Sequence, residues 1–242
     1  MLFIYRVMVV LFSLVAGAHA TTVAIPMDTQ VRAFDTAHMN KVLLDSVPVY
    51  KSKAAPGASL SSVSALSTTG MQKTSQPVLL LRISFTDQEF SYSRGEFEHL
   101  MFSTASDASS VARYYLENSY QQFHIQPAQE SQGIANDGIV DIHLPYAHPN
   151  FGDNYGAKSQ ALVRDAMAQA DAYINLKAFD RNGDAELSAS ELAIVLMVAG
   201  YENAYGGSSA PEPRVWAHKS DISGASFDGT KLTSFAMFGE QH

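Results

Sequence analysis

The chain has 242 residues, 46% hydrophobic and 17% charged, a globular composition large enough for one sizeable domain plus a tail. Its formal charge is −8, from 24 acidic against 16 basic residues. That balance argues against a nucleic-acid partner, which needs a basic footprint against phosphate, and is compatible with binding cations. There are no cysteines, so a domain working outside the cytoplasm must rely on its core and on any metal it holds.

The first twenty residues read as a signal peptide. Arg6 is the basic start, "VMVVLFSLVA" (7–16) is an apolar run too short to span a bilayer, and "AHA" (18–20) presents small residues for cleavage near Ala20. The mature chain is therefore expected to begin at Thr21, to be secreted or periplasmic, and to have no membrane partner after cleavage. Residues 21–76 read as a pro-segment ending in a Ser/Ala-rich linker (51–76), whose composition buries too little apolar surface to offset ordering entropy.

From Pro77 the texture changes. "VLLLRISF" (78–85) predicts a buried strand. "SRGEFEHLMFS" (93–103) predicts a helical turn or short helix, and "SSVARYYLENSY" (109–120) a helix capped by Ser109 or Ser110, with Val111, Tyr114 and Tyr115 at helical spacing. "QFHIQPA" alternates as a strand. "NDG" (136–138) signals a turn, and "IVDIHLPY" alternates again, with Val140, Ile142 and Leu144 against Asp141 and His143. A facing pair of His124 and His143 on adjacent strands is one arrangement open to them, against the ordinary surface or packing role expected of these histidines. Residues 157–174 predict the clearest helix, with Val163, Met167, Ala170 and Ile174 inward. "LAIVLMVAG" (192–200) favours a buried strand, "YENAYGGSSAPEP" a loop, and "RVWAHKS" and "KLTSFAMFGE" further strands. Interleaved helices and strands predict an α+β (mixed α/β) fold.

The acidic stretch 180–191 has the spacing of a calcium loop. Such a loop takes oxygen ligands at positions 1, 3, 5, 7, 9 and 12, here Asp180, Asn182, Asp184, Glu186, Ser188 and Glu191. Glu186 needs only its main-chain carbonyl, Glu191 can give two oxygens, and Leu187 is the inward apolar residue. Position 6, normally glycine, is Ala185, where a left-handed backbone costs about 1–2 kcal/mol. A metal-free reading competes: Ser188-x-x-Glu191 is also a capping box. If calcium binds, the affinity expected of a lone extracellular loop is on the order of 10⁻⁴–10⁻³ M.

The remaining candidates are weaker. No two histidines sit four apart with a glutamate between them, no G-x-S-x-G occurs, and there is no thiol nucleophile. A metal-free hydrolase using His124, His143 or Asp141 is the residual enzymatic alternative from the residues alone.

"PVLLLRISFTDQEF", "SVARYYLENSYQQFHIQPA", "ANDGIVDI", "AFDRNGDAELSASELAIVLMVAGYE", "VWAH" and "SFAMFGEQH", in that order, resemble the immune inhibitor A-like family of secreted zinc metallopeptidases over residues 77–242. The resemblance implies a zincin-like catalytic domain acting on protein or peptide substrates. In it, two histidines of an H-E-x-x-H helix and one further residue hold zinc, and the glutamate activates a zinc-bound water. It also implies calcium at Asp180, Asn182, Asp184 and Glu191. No H-E-x-x-H occurs in the 242 residues, so no zinc ligand or general base carries over. The expectation is an N-terminal part of such a domain, ending before the active-site helix and inactive alone. The alternative is a secreted, non-catalytic calcium-binding module.

Overall fold

The computed structural model describes residues 73–152, 156–206 and 209–241. The signal segment, its cleavage position and the pro-segment up to residue 72 lie outside the described residues.

A seven-stranded sheet is built around β1 (Thr74–Phe85). Two strands share one edge of β1: β2 (Phe123–Pro127) runs parallel to its first half, and β3 (Ile139–Leu144) runs parallel to its second half. On the other side lies β5 (Ala193–Glu202), then β10 (Ser234–Gln241), both parallel to β1, and finally β7 (His218–Asp221), antiparallel to β10. The two-residue β6 (Arg214–Val215) pairs in parallel with the end of β5. A separate small sheet orders β4 (Glu186–Leu187), β9 (Thr230–Leu232) and β8 (Ser226–Phe227).

Helices cover both faces, which is why the central strands read as continuous apolar runs rather than alternating ones. α1 (Arg94–Phe102) and α2 (Val111–Asn118) lie on the crossover from β1 to β2. They pack Phe97, Met101, Val111, Ala112 and Tyr115 against Val78, Leu80, Val195, Met197 and Phe238. α3 (Gly156–Ala170), on the crossover from β3 to β5, packs Leu162, Val163, Ala166 and Met167 against Leu79, Leu81, Ile83 and Leu196. Beyond it a 3₁₀ turn, Leu176–Phe179, opens the acidic loop, and a four-residue helical turn, α4 (Asn203–Gly206), follows β5. Among the described residues no helix is long and apolar enough to cross a membrane.

Local chemistry explains the helix starts. Ser93 and Glu96 form a reciprocal capping box on α1, and the Ser110 hydroxyl accepts from the Arg113 N–H at 3.0 Å on α2.

The fold is α+β as expected, with corrections in detail. β1 begins at Thr74, three residues before Pro77. Proline is tolerated there because the pairing with β5 begins only at Val78, leaving β1 one neighbour at Pro77. Tyr114 is exposed and Ala112 takes the inward place. α3 ends at Ala170, although Ile174 is still buried. "RVWAHKS" divides into β6 and β7, "KLTSFAMFGE" into β9 and β10, and the expected loop at 201 starts as the end of β5. His124 and His143 do not face each other. They lie opposite Ser75 and Ser84, nine residues apart on β1, or about 30 Å at ~3.3 Å per residue.

Candidate functional site

The acidic loop folds by side chains capping their own backbone. Asp180 Oδ1 accepts from the Gly183 N–H (2.8 Å) and Oδ2 from the Ala185 N–H (3.1 Å). Asn182 Oδ1 accepts from the Asp184 N–H (3.0 Å), and Asp184 Oδ1 from the Glu186 N–H (2.8 Å). Successive Asx turns of this kind wind the chain tightly. The winding needs left-handed backbone at Gly183 (φ +74°) and at Ala185 (φ +61°), so the alanine adopts what glycine would.

Leu187 is buried as expected and anchors the loop through β4. Glu186 turns its carboxylate to Lys231 Nζ at 2.7 Å, leaving its main-chain carbonyl as the group it has for the loop.

Glu191 closes the loop and is only 5% exposed. Its Oε1 accepts from the N–H groups of Arg181 (3.1 Å) and Asn182 (3.4 Å), and its Oε2 from the N–H (3.0 Å) and hydroxyl (2.7 Å) of Ser188. Burial works to raise its pKa, but these donors outweigh it and hold the carboxyl below its ordinary value. The box-like Ser188–Glu191 pairing is therefore present, yet no helix follows it. Glu191 leads within two residues into β5. Among the described residues no three His, Asp or Glu side chains converge as a ligand group, for calcium or for zinc.

A second polar cluster lies on the α1 side of β1 and β3. The register pairs Arg82 with Asp141 and Ser84 with His143, so the four side chains share one face. They border a cavity of about 350 Å³. Arg82 Nη1 donates to Asp141 Oδ1 (2.7 Å) and Nη2 to the Tyr92 carbonyl (3.0 Å), while its guanidinium lies 4.4 Å from the Phe90 ring centre. Arg94 Nη1 donates to the other Asp141 oxygen at 2.8 Å. Ser84 Oγ is 3.0 Å from His143 Nδ1, and Glu89 Oε1 is 3.4 Å from the same nitrogen.

A relay needs serine and acid on opposite ring nitrogens. Here both sit at Nδ1, and Asp141 is committed to two arginines. The structure thus gathers Asp141 and His143 without giving them a nucleophile–base–acid order, and His124 lies elsewhere, its Nε2 3.0 Å from the Gln121 carbonyl.

The most unusual acid is one that the sequence reading passed over. Glu240, near the end of β10, is 5% exposed. Its Oε1 accepts from the N–H groups of Ser91 (2.7 Å) and Tyr92 (2.8 Å), and its Oε2 is buried out of reach of solvent. Burial raises its pKa, against the opposing pull of those amides, of the Gly200 N–H and of Arg82. Glu202 is a second buried acid: Oε1 accepts from the Ala204 and Ala217 N–H groups (both 2.8 Å) and Oε2 from Gly239 N–H (2.9 Å). The available signal was a carboxylate at the end of each of two wholly apolar runs, "LAIVLMVAGYE" and "FAMFGE".

No family model matches this chain, and no curated protein matches it.

Proposed function

We propose that the chain carries the sheet and calcium loop of an exported, immune inhibitor A-like metallopeptidase domain. One observation supports this most. The segments that bear the resemblance are the joined parts of one framework: β1, α2 with β2, β3, the acidic loop running into β5, and β10. Zinc, when bound in such a domain, activates the water that attacks a peptide carbonyl. The described residues hold no ligand set for it, so none of them is assigned a step through the metal. In this reading the zinc ligands and general base lie outside these 242 residues, and the chain alone cleaves nothing.

The test is to read the gene beyond codon 242 in all three frames and to assay the purified chain on casein with added zinc. An H-E-x-x-H just downstream, with no activity in the chain alone, is the expected result. Absence of an H-E-x-x-H downstream in every frame, or zinc-dependent cleavage by the chain alone, would refute the reading.

A secreted calcium-binding module is the second reading, favoured by the wound geometry of 180–191. Calcium would be held by Asp180, Asn182, Asp184, the Glu186 carbonyl and Glu191, pinning the turn between α3 and β5. Calorimetric titration should give a dissociation constant on the order of 10⁻⁴–10⁻³ M, lost in Asp180→Ala. Absence of any calcium heat or shift in melting temperature up to 10⁻² M, on the order of ten times that value, removes it.

A further inference from the structure

Asn182–Gly183 is the only Asn-Gly pair in the 242 residues, and both residues are exposed. An asparagine followed by glycine is open to attack on its own side chain, because no Cβ shields the next main-chain nitrogen. The space at Gly183 is open as well: nothing lies within 4 Å of the place a Cβ would take. What matters at this pair is not the charge of the loop but which atoms its hydrogen bonds hold.

Asp184 holds the Asn182 carboxamide at both ends. Its main-chain N–H donates to Asn182 Oδ1 (3.0 Å), and its Oδ2 accepts from Asn182 Nδ2 (2.8 Å). The side chain is thereby fixed across the main chain from Asn182 to Asp184. The N–H on Oδ1 stabilises the negative charge that develops there when Cγ is attacked. The attacking atom is served too. Gly183 N–H donates to Asp180 Oδ1 at 2.8 Å, so a carboxylate is in place to take its proton. Asn118, by contrast, turns its Nδ2 back to the Tyr114 carbonyl at 2.8 Å, away from the residue that follows it.

We propose that Asn182 is a self-modification site, converted within the loop to aspartate and isoaspartate. Gly183 N gives its proton to Asp180 Oδ1 and bonds to Asn182 Cγ. The Cγ–Nδ2 bond then breaks, and Nδ2 leaves as ammonia with that proton, closing a succinimide ring. Water opens the ring at Cγ to give isoaspartate's isomer aspartate, or at the Asn182 main-chain carbonyl to give isoaspartate. Either product sets a carboxylate beside Asp184 Oδ2 in place of the donor it has now, so the loop gains charge and loosens. The inference rests on neither the peptidase nor the calcium reading.

The test is to hold the full chain at neutral pH with EDTA and to follow each asparagine by peptide mass spectrometry, with electron-transfer fragmentation to tell isoaspartate from aspartate. Asn182 should convert roughly tenfold or more ahead of any other asparagine and give both isomers. Asp180→Asn keeps an oxygen for the Gly183 N–H but cannot take its proton. It should slow the conversion about tenfold, short of the ~10²–10⁴-fold of an enclosed base because the loop is open to water. If circular dichroism shows that D180N has not folded, the isomers from the unaltered chain decide: both together mark attack by Gly183 N, and aspartate alone marks hydrolysis by water. Another asparagine converting ahead of Asn182, aspartate as the sole product, or undiminished conversion in a folded D180N overturns the proposal.

Discussion

His148 should make this fold sensitive to mild acid. Its ring packs edge-on against Phe85, with centroids 4.7 Å apart, and is 7% exposed. Nδ1 accepts from the Asn150 N–H at 2.9 Å, so the neutral ring carries its proton on Nε2, where no acceptor is present. Burial pulls the pKa down to about 4, with Asp87 pulling weakly the other way. In the unfolded chain it returns to about 6.5. The unfolded state therefore takes up a proton that the folded state refuses. The stability is fully present above pH 6.5, falls between pH 6.5 and 4, and is lost below that. The gap of about 2.5 units, at ~1.36 kcal/mol each, makes the loss roughly 3 kcal/mol. Urea unfolding followed by tryptophan and tyrosine fluorescence at half-unit steps from pH 7.5 to 4 measures it. His148→Gln keeps an acceptor for Asn150 but cannot titrate, so its stability should be flatter by that amount. His218, whose pKa burial also lowers, and Glu240, whose raised pKa acts in the opposite sense, are common to both proteins and cancel in the difference. Parallel curves for the two proteins would show that burial of His148 does not control the acid response.

Ala185→Gly should stabilise the loop by about 0.5–1 kcal/mol, the relief of left-handed strain less glycine's extra chain entropy, seen as a higher urea midpoint at unchanged slope. Gly239→Ala should cost about 3 kcal/mol, because the new methyl would lie 2.7 Å from main-chain atoms of Tyr201 and Glu202 on β5; thermal unfolding reads it. Arg94→Met should cost a similar ~3 kcal/mol, since it leaves the buried Asp137 carboxylate, now paired at 2.8 Å, with the Ile139 N–H but no countercharge; a loss under 1 kcal/mol would mean that this amide suffices. Glu191→Gln weakens three main-chain contacts at once, and proteolysis should then cut first within 180–191.

Strands β1, β3 and β5 and helices α1, α2 and α3 were legible in the chain, because apolar runs and caps are local facts: Ser93, Ser110 and the alternation of Val140, Ile142 and Leu144 need no partner to be recognised. The calcium spacing was legible for the same reason, and so was the strain at Ala185. The pairing was not. Periodicity told that "QFHIQPA" and "IVDIHLPY" were strands, but not that both lie along one edge of β1, which put His124 far from His143 and brought Asp141 to Arg82 instead. Nor did local sequence separate Glu240 from any other acid at a strand end. Its burial comes from α1 and the Ser91–Tyr92 main chain, about 150 residues earlier in the sequence and adjacent only after the sheet has formed. Local propensity determined which segments are helix and which are strand. Register and packing, which join residues distant in the chain, decided which charged groups are paired and which are buried.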